Sequence, residues 1–233
     1  MSETVKSERG LTLVGGGEVS PGDIAEALRH CPDLVAADGG ALAALAEGLM
    51  PRAVFGDMDS LVSADRARLG PGVLRQVDEQ DSTDFDKVLS RVAGPVAVGV
   101  GFLGLRADHQ LANLSALVRH RHLPCALLGR SDVVFACPPG IAVALAEGTR
   151  VSLFPLAPVA GASEGLHWPI DGIAMAPAGR HGTSNRVAEG ARAVRLRFDT
   201  PGMLAIMPRA ALAAVLDGLR AAPLWPPDAV PAG

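Results

Sequence analysis

Residues 34–57 read LVAADGGALAALAEGLMPRAVFGD, and this stretch decides the fold. Leu34–Ala37 is a short apolar run that stops at Asp38-Gly39-Gly40. An alanine-rich segment then continues to about Glu47 with strong helix formers. Arg52–Phe55 is a second apolar run, and it stops at Gly56-Asp57. Strand, glycine turn, helix and strand follow one another within a few dozen residues.

The same alternation extends on both sides. Upstream, Leu11–Val14 runs into Gly15–Gly17, and Ser20-Pro21 pairs an N-cap residue with a first-turn proline. That predicts a helix through about His30. Downstream, Val73–Val77 reads as a strand and Ser82 opens a helix to about Val92. Pro95–Gly101 is a continuous apolar run, and Ala107–His122 reads as a long helix with Leu111, Leu114, Leu117 and Val118 on one face. Such alternation predicts an α/β domain over residues 1–138, with a Rossmann-like parallel sheet covered on both faces.

After Pro138 the pattern changes. Val151–Leu156 is strand-like, Met203–Met207 likewise, and in Ala193–Phe198 the apolar Val194, Leu196 and Phe198 alternate with Arg195 and Arg197. Strict alternation marks a half-buried antiparallel strand. Residues 139–233 therefore read as a smaller all-β sandwich domain, with a terminal helix over Ala210–Ala221 and a loose tail carrying Pro223, Pro226, Pro227 and Pro231.

Composition narrows the function. The chain is 48% hydrophobic and 20% charged, the balance of a globular protein. A formal charge of −4 gives no basic footprint for nucleic acid. The first ten residues lack a basic and then apolar leader, and the apolar run near Pro95–Leu105 is broken by Gly99, Gly101 and Gly104. No membrane segment and a cytoplasmic location are expected. Cys31, Cys125 and Cys137 are far apart, which suits buried thiols better than disulfides or zinc.

The chemistry lies in the first half. Asp38, Asp57, Asp59, Asp81, Asp84 and Asp108 all follow predicted strand ends. In a parallel sheet those ends share one edge, so distant aspartates converge. Two carboxylates ~4 Å apart at an effective dielectric of ~20 repel by about 4 kcal/mol, unless a cation sits among them or some are protonated. Hard oxygen ligands with few nearby histidines suit Mg²⁺. Each element also has a plain reading. Asp57-Met58-Asp59 fits a turn ahead of a cap, Gly15–Gly17 fits either a tight turn or a phosphate loop, and His109 fits a structural first-turn histidine. Arg106, two residues from Asp108, fits a phosphate contact or a neutralising partner.

Four segments, in this order, resemble the thiamine pyrophosphokinase family: Ala37-Asp38-Gly39-Gly40-Ala41, Gly56-Asp57-Met58-Asp59-Ser60-Leu61, Gln80-Asp81-Ser82-Thr83-Asp84-Phe85-Asp86-Lys87 and Gly104-Leu105-Arg106-Ala107-Asp108-His109. Gly165-Leu166-His167-Trp168-Pro169-Ile170 and Gly182-Thr183-Ser184-Asn185 are similar to segments of that family's C-terminal domain. The resemblance covers most of the chain from Leu11 to about Met207.

The resemblance implies a nucleotide-binding α/β domain joined to a β-sandwich in a homodimer, with thiamine near the subunit interface. It implies transfer of the pyrophosphoryl group of ATP to the hydroxyl of thiamine, giving thiamine diphosphate and AMP. It also implies Mg²⁺ on Asp57, Asp59 and Asp84, a reacting centre with Gln80, Thr83, Arg106 and Asp108, and a supporting Asp38. Trp168 would flank thiamine, near Ser184 and Asn185. Asp84 and Asp108 both remain candidates for the general base. Two residues depart from the family pattern: Leu105 stands where a second glycine is usual, and Arg186 where an acidic residue is expected. Three other readings remain: a metal-dependent phosphoesterase, although such sites usually recruit more histidines, a pyrophosphokinase for a pterin-type acceptor, and a nucleotide-binding module without catalysis.

Overall fold

The computed structural model describes residues 4–77, 79, 81–104 and 106–226. Gln80 and Leu105 lie outside the described residues. The chain divides into two compact units, one running up to Ala116 and including Leu127–Gly129, the other formed by Leu117–Ala126 and the chain from Arg130 onward.

Up to Leu128 the chain alternates strands and helices: β1 (Val5–Lys6), β2 (Leu11–Val14), α1 (Asp23–His30), β3 (Asp33–Ala37), α2 (Gly40–Ala46), β4 (Ala53–Gly56), α3 (Ser63–Leu69), β5 (Leu74–Gln76), α4 (Asp84–Leu89), β6 (Val92–Ala93), β7 (Ala97–Val100), α5 (Ala107–Arg119) and β8 (Cys125–Leu128). Strands β7, β2, β3, β4 and β5 lie side by side in that order, and every pairing among them is parallel. Every residue of β2, β4 and β7 is buried, as a central strand covered on both faces requires.

Four helices differ from expectation: α3 was not foreseen, α4 spans only Asp84–Leu89 of the stretch from Ser82 to about Val92, and α1 and α5 depart as follows. α1 begins at Asp23 rather than at the Ser20-Pro21 pair, because Gly22 (φ 88°) closes a turn there and the Asp23 carboxylate accepts from Ser20 N at 2.8 Å. That acid sits where the helix dipole favours it. α5 ends at Arg119 and turns inward through Asn113, Ala116, Leu117 and Val118, leaving Leu111 64% exposed. A buried asparagine on the inner face displaced the apolar stripe: Asn113 Nδ2 donates to Phe102 O at 2.8 Å.

The second unit contains β9 (Asp132–Ala136), β10 (Gly140–Ala144), β11 (Arg150–Pro155), β12 (Gly161–Glu164), β13 (Gly182–Arg186), β14 (Ala193–Phe198), β15 (Met203–Pro208) and α6 (Leu212–Ala221). Strands β13, β11, β15 and β9 pair antiparallel in that order, and β10, β14 and β12 form a second antiparallel sheet. The alternation of β14 reads out directly, with Val194, Leu196 and Phe198 buried and Arg195 and Arg197 exposed. Burying each such side chain contributes about 1.5–3 kcal/mol. Within the described part of the tail, Trp225 Nε1 donates to Cys137 O at 2.9 Å. All three cysteines are buried and free, and burial pushes the Cys137 thiol up.

Candidate active site

In the parallel sheet β2 has β3 on one side and β7 on the other, so the chain winds outward in opposite senses from this point. Loops leaving such a pair diverge and open a crevice at the carboxyl ends. Here the loops are Gly15–Gly17 and Gly101–Gly104. Gly15 N donates to Val100 O at 2.8 Å and Gly17 N to Gly101 O at 2.9 Å. A Cβ on Gly17 would fall 2.6 Å from Gly101 O, so backbone packs directly on backbone. The glycines thus form a tight structural turn whose surface also faces the crevice.

The crevice is a cleft of about 800 Å³. Its lining includes Gly16 and Gly17, Asp38, Ser60, the run Asp81–Phe85, Phe102, Arg106 and His109. Every one of these follows the carboxyl end of a parallel strand or opens the helix after it.

Asp38 is the most constrained of them. It is 4% exposed, its φ is 32°, and Oδ1 has no hydrogen-bond partner. A side chain on Gly56 would place its Cβ 2.7 Å from Asp38 Cβ, so the glycine of the Gly56-Asp57 turn makes room for this carboxylate. Ser82 Oγ, on the opposite loop, is also buried and unpartnered. Each unsatisfied buried group costs about 1–3 kcal/mol. Such a cost persists where a ligand supplies the missing partner. Asp38, Met58 and Ser184 are the non-glycine residues with positive φ among the described residues, and all three lie in the segments singled out from sequence.

α4 aims the next acids. Thr83 caps it: Thr83 Oγ1 accepts from Asp86 N at 3.2 Å, while Asp86 Oδ2 accepts from Thr83 N at 3.3 Å. This reciprocal box uses the Thr83 hydroxyl structurally, even though the residue lines the cleft. Asp84, at the first helical position, has its side chain 48% exposed, and the buried Lys87 brings Nζ to 3.2 Å from its Oδ1.

Arg106 and Asp108 form a two-pronged pair, Nε to Oδ1 at 3.2 Å and Nη2 to Oδ2 at 2.7 Å. The Arg106 hydrogen bond, with help from His109 N, holds the Asp108 carboxyl down at about 2. Asp108 is therefore a poor proton acceptor. Arg106 borders the cleft; Asp108 does not.

Asp57 and Asp59 also lie outside the lining. Asp57 Oδ1 accepts from Asp59 N at 3.2 Å, a local turn that leaves Asp59 exposed. Among the described residues no three His, Cys, Asp or Glu side chains are gathered closely enough to hold a metal ion, so Asp57, Asp59 and Asp84 do not form a ready-made cage. Mg²⁺ does not require one, because it commonly binds through one or two carboxylates plus substrate phosphates. The unpartnered Asp38 oxygen and the exposed Asp84 line the same cleft, which fits a cation arriving with its ligand.

In the second unit Trp168 is 51% exposed, so it is not a core tryptophan. Asn185 is buried and ties down its backbone, Nδ2 donating to Trp168 O at 2.7 Å and Oδ1 accepting from Trp168 N at 3.2 Å. Ser184 N donates to Ser152 Oγ at 3.0 Å, which fixes the strand beside it.

The structure thus brings Asp38, Thr83, Asp84 and Arg106 to one cleft, and Trp168, Ser184 and Asn185 to one patch of the second unit. Gln80 lies outside the described residues. Sequence reasoning overlooked Ser82 and Lys87 as site residues. Ser82 carries no signal beyond its place between Asp81 and Thr83. Lys87, one turn after Asp84, was legible as an i, i+3 partner.

The fold and the cleft define a two-unit protein with an acidic, arginine-bordered site at a sheet switch point, suited to a metal-bound phosphate ligand. Comparison with known proteins narrows this. The thiamin pyrophosphokinase catalytic domain matches residues 24–127, and the thiamin pyrophosphokinase vitamin B1 binding domain matches residues 140–203. The chain belongs to the thiamin pyrophosphokinase family. It is 28% identical over 169 residues to thiamine pyrophosphokinase 1 of Oryza sativa subsp. japonica, covering 64% of this chain and 63% of that protein. It is 29% identical over 114 residues to thiamine pyrophosphokinase of Bacillus subtilis, covering 46% of this chain and 53% of that protein. The matches thus span less than two thirds of these relatives' lengths. In fold it is similar to thiamin pyrophosphokinase from Candida albicans, with a TM-score of 0.72 at 14% identity over 89% of this chain and 93% of that one. The Bacillus subtilis enzyme gives a TM-score of 0.68 at 23% identity over 85% and 98%.

Proposed function

We propose that the protein is a thiamine pyrophosphokinase, transferring the pyrophosphoryl group of ATP to the hydroxyl of thiamine to give thiamine diphosphate and AMP. The observation that carries this reading is the Asp38 carboxylate. It is buried, backbone-strained and unpartnered in a cleft that also holds Asp84 and Arg106, in a chain whose two halves match the two domains of this family.

In this reading residues 1–138 are a Rossmann-like nucleotide-binding domain, and residues 139–233 are a β-sandwich that binds thiamine and mediates a homodimer in the cytoplasm. Asp57, Asp59 and Asp84 would hold Mg²⁺ together with the phosphates of ATP, Asp38 would add charge to the same site, and Gln80 and Thr83 would line the centre. The ion supplies neutralisation of phosphate charge. The thiamine hydroxyl oxygen attacks the β-phosphorus, the bond from that phosphorus to the α–β bridging oxygen breaks, and AMP leaves with the electron pair. Arg106 donates to the phosphate oxygens through its planar fork, a positioning and charge-stabilising role. Asp84 takes the hydroxyl proton, because it lines the cleft whereas Asp108 lies outside it and is occupied by Arg106. Thiamine stacks on Trp168, beside Ser184 and Asn185.

The acceptor is tested by offering thiamine and a hydroxymethyl pterin in parallel, with ATP and Mg²⁺, and identifying the products. Thiamine diphosphate alone supports the reading. A pterin diphosphate, or phosphate released without either acceptor, contradicts it.

A further inference from the structure

Trp168 is gripped on three sides by its own unit. The segment Leu166–Trp168 runs antiparallel beside the end of β13, with Leu166 bridged to Val187 and His167 N donating to Arg186 O at 2.8 Å. Asn185 then closes two hydrogen bonds on the Trp168 backbone. The side chain is held as well. The Arg186 guanidinium lies over the indole, 4.9 Å from its centroid, and the His167 ring meets it edge-on at 4.4 Å and 90°. Arg186 Nη2 is 3.3 Å from His167 Nε2, which accepts when that nitrogen carries no proton.

One face of the ring is covered by a cation, one edge is fixed, and the backbone is anchored. The residue is nevertheless 51% exposed. A flat ligand then meets a platform already set in orientation, and binding orders no further side chain.

We propose that Arg186 is a positioning residue for the acceptor: it clamps the Trp168 indole from one side so that a flat heteroaromatic ring stacks on the other. This rests on the acceptor reading given under Proposed function. It also gives a role to the arginine at a place where the family resemblance leads one to expect an acid. A cation on the covered face repels a positively charged ring only weakly, through an indole and water at the high dielectric of an exposed site. The gain in order outweighs it.

The test uses the full chain carrying Trp225→Phe, which leaves Trp168 as the sole tryptophan, since the chain has two. Time-resolved anisotropy reads the clamp without any ligand. Arg186→Ala is expected to add a fast local rotation of the indole, and Arg186→Lys to restore part of the restriction. In turnover, Arg186→Ala is expected to raise the thiamine KM roughly three- to tenfold, leaving kcat and the ATP KM unchanged. Unaltered anisotropy, or a thiamine KM that stays level or falls, overturns the proposal. If thiamine neither quenches Trp168 nor is turned over by the unsubstituted protein, the acceptor reading fails instead, and the anisotropy still decides the clamp.

Discussion

Arg106 grips Asp108 with both prongs of its guanidinium although one residue separates them in sequence, with contacts of 3.2 and 2.7 Å. The grip lowers the Asp108 carboxyl from 3.8 to about 2. A depressed acid contributes fully above its unfolded value and loses that contribution as pH falls through about 2. The pair is therefore intact throughout the neutral and mildly acidic range. A carboxyl-resolved NMR titration should place Asp108 near 2. In Asp108→Asn the acid limb of the rate profile should stay where it is in the unsubstituted protein, and a limb that moves would return Asp108 to the role of base.

Asp84 and Asp59 share the metal role in this reading, and Asp84 alone adds proton transfer. Asp59 is exposed, so Asp59→Asn should shift stability by no more than about 0.5 kcal/mol in a denaturant melt, whereas Asp84→Asn should cost more because it strips the buried Lys87 ammonium of its carboxylate. Asp84→Asn should lower kcat by roughly 10²–10⁴-fold. Asp59→Asn should raise the Mg²⁺ concentration needed for half-maximal rate, and unchanged Mg²⁺ dependence would remove Asp59 from the metal site.

Asp38→Asn should stabilise the ligand-free protein while disabling it. The amide removes a buried charge that has an unpartnered oxygen, and asparagine tolerates the positive φ. A gain of about 1–2 kcal/mol is expected in thermal or chemical unfolding. The same variant should lose the added stability that ATP with Mg²⁺ gives the unsubstituted protein.

Gly56→Ala tests the room made for that carboxylate. Its Cβ would lie 2.7 Å from Asp38 Cβ, which is closer than real side chains approach. A loss of about 1–3 kcal/mol is expected, together with weaker nucleotide binding.

Where one local rule governed, the sequence was easy to read. The strict alternation of Ala193–Phe198 became β14 with the same bounds, whereas the helix expected to open at Ser82 begins one residue after the Thr83 cap. Asp38, Asp81 and Asp84 reached one cleft because strand ends share an edge in any parallel sheet, while Asp57, Asp59 and Asp108 lie outside its lining, held by local turns and the Arg106 pair that strand order does not specify. Features set by contacts distant in sequence were harder. α5 was expected to bury Leu111, but Asn113 bonds to Phe102 O and turns the helix, a choice no apolar count detects. The bond from the Trp225 indole N–H to Cys137 O spans 88 residues, and no local pattern announces it. The strained φ of Asp38 and the empty place at Gly56 are a matched pair, and neither residue alone announces it.

The most direct test of the central claim is AMP release, followed by a coupled assay with ATP, Mg²⁺ and thiamine, each omitted in turn. AMP that forms only when all three are present, in step with thiamine diphosphate, is the predicted result. ADP in place of AMP, or a rate indifferent to thiamine, would contradict it.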